Sequence, residues 1–132
     1  MSSEKSIVLK AFNKQFVDFL DDIIRILPEN SELQASKNYF LTIKKANPTS
    51  LIKAWYEYVY KPYADVIDKG DVMFFLTKDY SEDVQLNKDY VLKIIDESLR
   101  KPLLTMDETN KIHCAKYAKL LTDLCIRYHG YK

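Results

Sequence analysis

Glycine is nearly missing from this chain. Two glycines in 132 residues, Gly70 and Gly130, compare with a usual share of about 7%. Tight hairpins of a β-sandwich or barrel need residues that accept positive φ, and two glycines cannot serve a set of them. The phosphate-cradling loops of P-loop and Rossmann proteins need several glycines close together, so both are excluded. Cysteine is almost as scarce: Cys114 and Cys125 are too few for a disulfide scaffold and suit a reducing compartment. Charge bias is lacking too. Twenty basic and 19 acidic residues leave a net charge of +1, with no global pull toward nucleic acid or an anionic membrane. No apolar run approaches the roughly 18 residues of a membrane span, and the opening Met-Ser-Ser-Glu-Lys-Ser lacks a signal peptide's layout. The expectation is an intracellular protein that makes no membrane contact.

What is present is helical patterning. An apolar share of 47% with 30% charged residues fits a folded domain, and the length fits one domain over residues 1–132. Leu9, Phe12, Phe16, Phe19, Ile23 and Ile26 recur at steps of three and four, the seam of an amphipathic helix. This first helix runs from about Ser3 to Leu27 and stops before Pro28. Ser31 with Gln34 has the form of a capping box, opening a helix with Leu33, Ser36, Tyr39, Phe40 and Ile43 inward. Asn47-Pro48 reads as a cap followed by proline at the first helical position, with Leu51, Ile52, Trp55 and Val59 inward until Pro62 kinks the helix. Gly70 marks a sharp turn, and Val72–Leu76 reads as one or two buried helical turns. Asn87 opens a helix with Val91, Ile94, Ile95 and Leu99 inward, closed before Pro102. Thr105 with Glu108 opens the last helix, which reaches about His129. The predicted architecture is all-α, a single compact bundle of about five or six helices.

Aromatic density is the strongest local signal. Trp55-Tyr56-Glu57-Tyr58-Val59-Tyr60-Lys61-Pro62-Tyr63 holds more large rings than one buried stripe can hide, in a chain with ten tyrosines. With Leu51, Trp55 and Val59 on the buried stripe, Tyr56, Tyr60 and Tyr63 turn toward a flank. Either they pack beneath Val72–Leu76 with their hydroxyls at the rim, or they form a partner-binding patch of aromatic anchors. The second reading makes this a non-enzymatic protein–protein interaction or structural protein, meeting a protein partner or a second copy of itself. In that case truncating Tyr56 and Tyr60 together would abolish partner capture and leave the melting temperature nearly unchanged.

Charge is uneven in one place. From Lys111 onward five basic residues face Asp123, a local balance of +4. Lys116, Lys119 and Arg127 share a helix face there, which supports an alternative reading as a nucleic-acid surface. Solvated helix faces explain the same pattern, and nucleic-acid domains are usually far more basic overall. Enzymatic readings find little support. Neither His113 nor His129 follows a glutamate at the three-residue spacing of di-iron bundles. The two histidines stand about 24 Å apart on one helix, too far to share a metal. Cys125 and His129, one turn apart, give half a zinc site or a thiol–imidazole pair with no orienting acid, while core packing explains Cys114 and Cys125 as well. Adjacent Asp21-Asp22 and Asp96-Glu97 diverge on a helix, and Asp79–Asp83 lacks a calcium loop's pattern. No catalytic residue, metal or cofactor is assigned.

Several stretches carry a resemblance. They are Phe12-Asn13-Lys14-Gln15-Phe16, Phe19-Leu20-Asp21-Asp22-Ile23, Lys44-Lys45-Ala46-Asn47-Pro48 leading to Trp55, then Pro62-Tyr63, Gly70-Asp71, Phe74-Phe75 and Lys78-Asp79-Tyr80. Over about the first 85 residues, taken together, these resemble a family of small uncharacterised helical proteins encoded by large double-stranded DNA viruses of algae and amoebae. The resemblance implies a viral setting: the host cytoplasm or nucleus, or the virion itself. It implies no activity and no site residues.

Overall fold

A computed structural model describes residues 3–68 and 90–131, and every element it describes is helical. The chain is all-α. Two helices of 23 residues frame it, α1 (Glu4–Ile26) and α6 (Glu108–Gly130). They run antiparallel, since Glu4 meets Tyr131 at one end and Asp22 meets His113 at the other. The helix α2 (Ser31–Ala46) folds back along α1, bringing Lys37 to Asp21 at 2.6 Å and Phe40 against Phe16 with ring centroids 4.9 Å apart.

The third leg begins as α3 (Ser50–Ala54), widens to a π-helix over Trp55–Tyr60, tightens to a 3₁₀ turn over Lys61–Tyr63 and ends as α4 (Ala64–Asp68). The fourth repeats that order: α5 (Tyr90–Ile95), a π-helix over Asp96–Arg100 and a 3₁₀ turn over Lys101–Thr105. Both π-turns precede a Lys-Pro pair. Proline has no N–H, and its ring crowds the carbonyl four residues back. Widening the preceding turn relieves that crowding. Lys61 N–H therefore reaches Tyr56 C=O, and Lys101 N–H reaches Asp96 C=O, both five residues back. Pro62 thus reshapes its helix as expected. The segment around Pro102 does not close before proline but runs through it as 3₁₀.

The caps differ from the sequence expectation in three places. Ser3 caps α1, its hydroxyl accepting the Ser6 N–H at 3.1 Å. Asn30, not Ser31, caps α2, because its carboxamide oxygen accepts the Glu32 N–H at 3.2 Å. Asp107, not Thr105, caps α6 by accepting the Asn110 N–H at 2.8 Å. The Thr105 hydroxyl is occupied within the 3₁₀ turn, donating to Pro102 C=O. Asn47 ends α2, and its side-chain oxygen accepts both the N–H and the hydroxyl of Thr49, so α3 starts at Ser50.

Trp55 sits at the centre of the core, fully buried, with Phe12 and Phe16 edge-on to it at 6.3 Å. Its indole N–H donates to the Thr122 hydroxyl at 3.0 Å, tying the third leg to α6. Phe12, Phe16, Phe19 and Ile23 of the α1 seam are buried, whereas Leu9 and Ile26 sit half-buried at its edge. Val72–Leu76, Gly70 and the Asn87 cap lie outside the described residues. Among the described residues no helix is long and apolar enough to cross a membrane.

Candidate interaction surface

Tyr56, Tyr60 and Tyr63 all lie half-buried on the third leg. The Tyr56 ring lies flat on the His129 imidazole, with centroids 3.8 Å apart and planes 12° apart. Tyr60 follows at 5.8 Å from Tyr56. His129 in turn meets Tyr128 edge-on at 5.1 Å, and the Lys5 ammonium stands 4.8 Å over the Tyr128 ring. The outcome is a row of rings, Tyr60–Tyr56–His129–Tyr128, that crosses from the third leg onto α6 and reaches α1. Tyr63 is set apart from it and packs against the core.

Each ring in the row is held. The Tyr60 hydroxyl sits 3.1 and 3.2 Å from the two carboxylate oxygens of Asp68. Burial and that hydrogen bond together hold its pKa above the ordinary tyrosine value. His129 Nδ1–H donates to Cys125 C=O at 2.9 Å, which fixes the ring against its own helix. The shared geometry makes Tyr56 half of a stack rather than a free anchor. Removing it strips a core contact as well as surface, so truncating Tyr56 and Tyr60 together no longer separates folding from binding.

Cys125 offers no nucleophile. Its thiol is buried 3.3 Å from Ile52 C=O, to which it donates, and burial pushes its pKa far up. With Nδ1–H committed to a carbonyl, that nitrogen cannot take the thiol proton. Cys114 is buried beside Met106, its pKa pushed up to about 11 chiefly by desolvation. Among the described residues no three His, Cys, Asp or Glu side chains gather as metal ligands would.

The three cations of the α6 face are unequal. Lys116 is exposed, while Lys119 pairs with Asp123 at 2.7 Å. Arg127 Nε lies 3.4 Å from the Tyr131 hydroxyl, which donates to Glu4 at 3.1 Å. An acid therefore stands in the middle of the face, and a second closes its end.

Two polar clusters escape the sequence reading. The first joins α1 to α6: Asp22 Oδ2 accepts the Tyr117 hydroxyl at 2.6 Å and lies 3.1 Å from His113 Nε2, with Arg25 at 3.5 Å. Tyr117 also stacks on Phe19 at 5.1 Å. The Tyr117 hydrogen bond is the main cause of a lowered Asp22 pKa, against a burial effect that raises it. Burial first, then Asp22, push Tyr117 up to about 12. A raised tyrosine pKa stabilises the fold below the unfolded value of about 10 and loses that contribution as pH rises toward 12. Tyr117→Phe is therefore expected to lose less stability than the native chain between pH 9 and 11. Parallel urea titrations at the two pH values measure this, and equal losses would refute it. The second cluster is a buried ion pair, Asp96 with Arg100, joined by the half-exposed Lys101 at 3.6 Å.

No protein-family model, curated protein or solved structure matches this chain.

Proposed function

We propose that this protein is a non-enzymatic interaction or structural component whose contact surface is the row Tyr60–Tyr56–His129. The observation that carries the reading is the flat Tyr56–His129 stack. It holds large, half-exposed rings in place before any partner arrives, so little rotamer entropy is lost on contact. The partner is another protein or a second copy of this chain. The resemblance to viral helical proteins suggests a host cell or virion as its setting. The alternative, nucleic-acid contact through Lys116, Lys119 and Arg127, has weaker support because Asp123 and Glu4 engage its neighbours.

Tyr60 gives the cleanest test: it is half-exposed, lies beside Tyr56 in the row and bonds the exposed Asp68 through its hydroxyl. Tyr60→Ala is expected to cut partner capture or self-association by about 30-fold or more, the loss typical of a central anchor. Tyr60→Phe should retain most of it. Sedimentation over a concentration series and capture from native cells read the effect, beside a thermal melt that confirms folding. A folded Tyr60→Ala protein that associates like the native chain would remove this surface from consideration.

A further inference from the structure

The side of α6 turned away from the core is not uniformly polar. Cys114, Ala118, Leu121 and Cys125 are buried on its inner side, yet Ile112, Leu120 and Ile126 stand 47%, 40% and 36% exposed. At about 100° per residue, these three aliphatics fall within an arc of about 120° on the outer side. The exposed Lys116, Lys119, Asp123 and Arg127 share that arc. Exposed aliphatics scattered singly are ordinary, but three on one face of one helix form a stripe. We propose that this stripe pairs with the same stripe of a second copy of the chain, the two α6 helices running antiparallel.

One register serves the whole stripe. Every contact in a twofold interface occurs twice, so the stripe must complement itself. With the axis between Lys119 and Leu120, helix geometry sets Lys116 level with Asp123 of the second copy, and Asp123 level with its Lys116. The same axis leaves Ile112 and Ile126 of the second copy only about 1.5 Å apart in height, and likewise the two copies of Leu120. Leu120 lies on one side of the contact seam, and Ile112 with Ile126 on the other. A twofold perpendicular to both helices keeps each on its own side. Every aliphatic of the stripe thus meets an aliphatic while two ion pairs form.

Charge agrees with that partner. Lys116 has no ion-pair partner among the described residues and is open to the Asp123 of a second copy. The two Lys119 side chains approach each other at the axis, but each is neutralised by its own Asp123 at 2.7 Å. A phosphate backbone would use the cations and leave the aliphatics wet, whereas a second copy uses both. His129 lies about 120° round the helix from the middle of the stripe, so the pairing does not rest on the ring row and leaves that row open to a different protein.

Site-directed crosslinking tests the register. Cys114 and Cys125 are fully buried, so a short bismaleimide linker reaches only an introduced thiol. Leu120→Cys is expected to form a crosslinked dimer at least about tenfold faster than Lys14→Cys, at an exposed position of α1. In the Leu120→Cys background, Lys116→Glu should slow the reaction about fivefold, since two ion pairs become two repulsions. The swap Lys116→Asp with Asp123→Lys should restore the rate, because both pairs reverse sign and Lys119 gains a carboxylate three residues before it. Sedimentation of the native chain should show a monomer–dimer equilibrium that Leu120→Glu abolishes, with a thermal melt confirming that the variant folds. The proposal is overturned if positions 120 and 14 crosslink alike or if Lys116→Glu leaves the rate unchanged. It is also overturned if Tyr60→Ala abolishes the crosslink at position 120, since copies would then meet through the ring row. A crosslink that survives Tyr60→Ala upholds the α6 pairing, whatever that variant does to partner capture.

Discussion

Arg100→Met is expected to destabilise the protein by about 3–5 kcal/mol, the usual loss when one partner of a buried ion pair is removed. Asp96 and Arg100 are 4% and 5% exposed, and the guanidinium reaches the carboxylate one turn back on the same leg. Without it, Lys101, half in solvent and 3.6 Å away, is the one cation left beside Asp96 among the described residues. Desolvation of the carboxylate would then go largely uncompensated. Replacing both members, Asp96→Leu with Arg100→Met, should recover most of the loss, since an apolar pair of similar volume suffers no charge burial. Urea unfolding of the single and double variants makes the comparison. A single variant within about 1 kcal/mol of the native chain would show the pair to be solvated.

Trp55→Ala should cost a similar amount, about 3–5 kcal/mol, through the cavity left between α1, the third leg and α6. The indole touches both long helices, packing on Phe12 and Phe16 and bonding Thr122. Trp55→Phe keeps an aromatic ring while removing the indole donor and part of the ring volume. Thr122 keeps its own bond to Ala118 C=O at 2.8 Å, so the lost donor accounts for only about 1 kcal/mol, and the smaller ring adds a packing loss below that of alanine. Thermal melts of the two variants should therefore differ widely, with the alanine protein melting many degrees lower. Equal melting temperatures would mean that the hydrogen bond, and not the ring, anchors this position.

The long helices were legible because burial leaves a period. The seam from Phe12 to Ile23 and the stripe Leu51, Ile52, Trp55 and Val59 are buried where their spacing places them. The caps were less legible, because Asn30, Ser31, Thr105 and Asp107 are all good cap chemistries and geometry picks between them. The π-turns had a trace that periodicity alone does not decode. Leu51, Trp55, Val59 and Tyr63 step by four throughout, as do Val91, Ile95, Leu99 and Leu103, and all eight are buried or half-buried. Strict fours drift by about 40° per step on an α-helix, and one wider turn corrects the drift. Asp96 was read beside Glu97 as a diverging pair, while its partner stood four residues on at Arg100.

The candidate site was legible only in part. Excess aromatic residues on one flank predicted that Tyr56 and Tyr60 would not all be hidden, and half-burial agrees. Their true neighbour, His129, lies 73 residues beyond Tyr56, and no local pattern announces such a pairing. The buried polar Asn13 was likewise invisible. It sits next to Phe12 on α1, and only the position of Pro48 shows which of its two amide atoms has no hydrogen-bond partner among the described residues.

The hydrogen bond from Tyr131 to Glu4 spans a sequence separation of 127 residues. Loop closure over so long a chain is entropically expensive, though each doubling of length adds only about 0.6 kcal/mol. Local hairpins such as α1 with α2 close shorter loops, so the docking of α6 onto α1 is expected to come late in folding. The same clasp works in reverse on unfolding. Opening of the first turn of α1 is therefore expected to loosen the last turn of α6, which hydrogen exchange would read as matched protection of their amides.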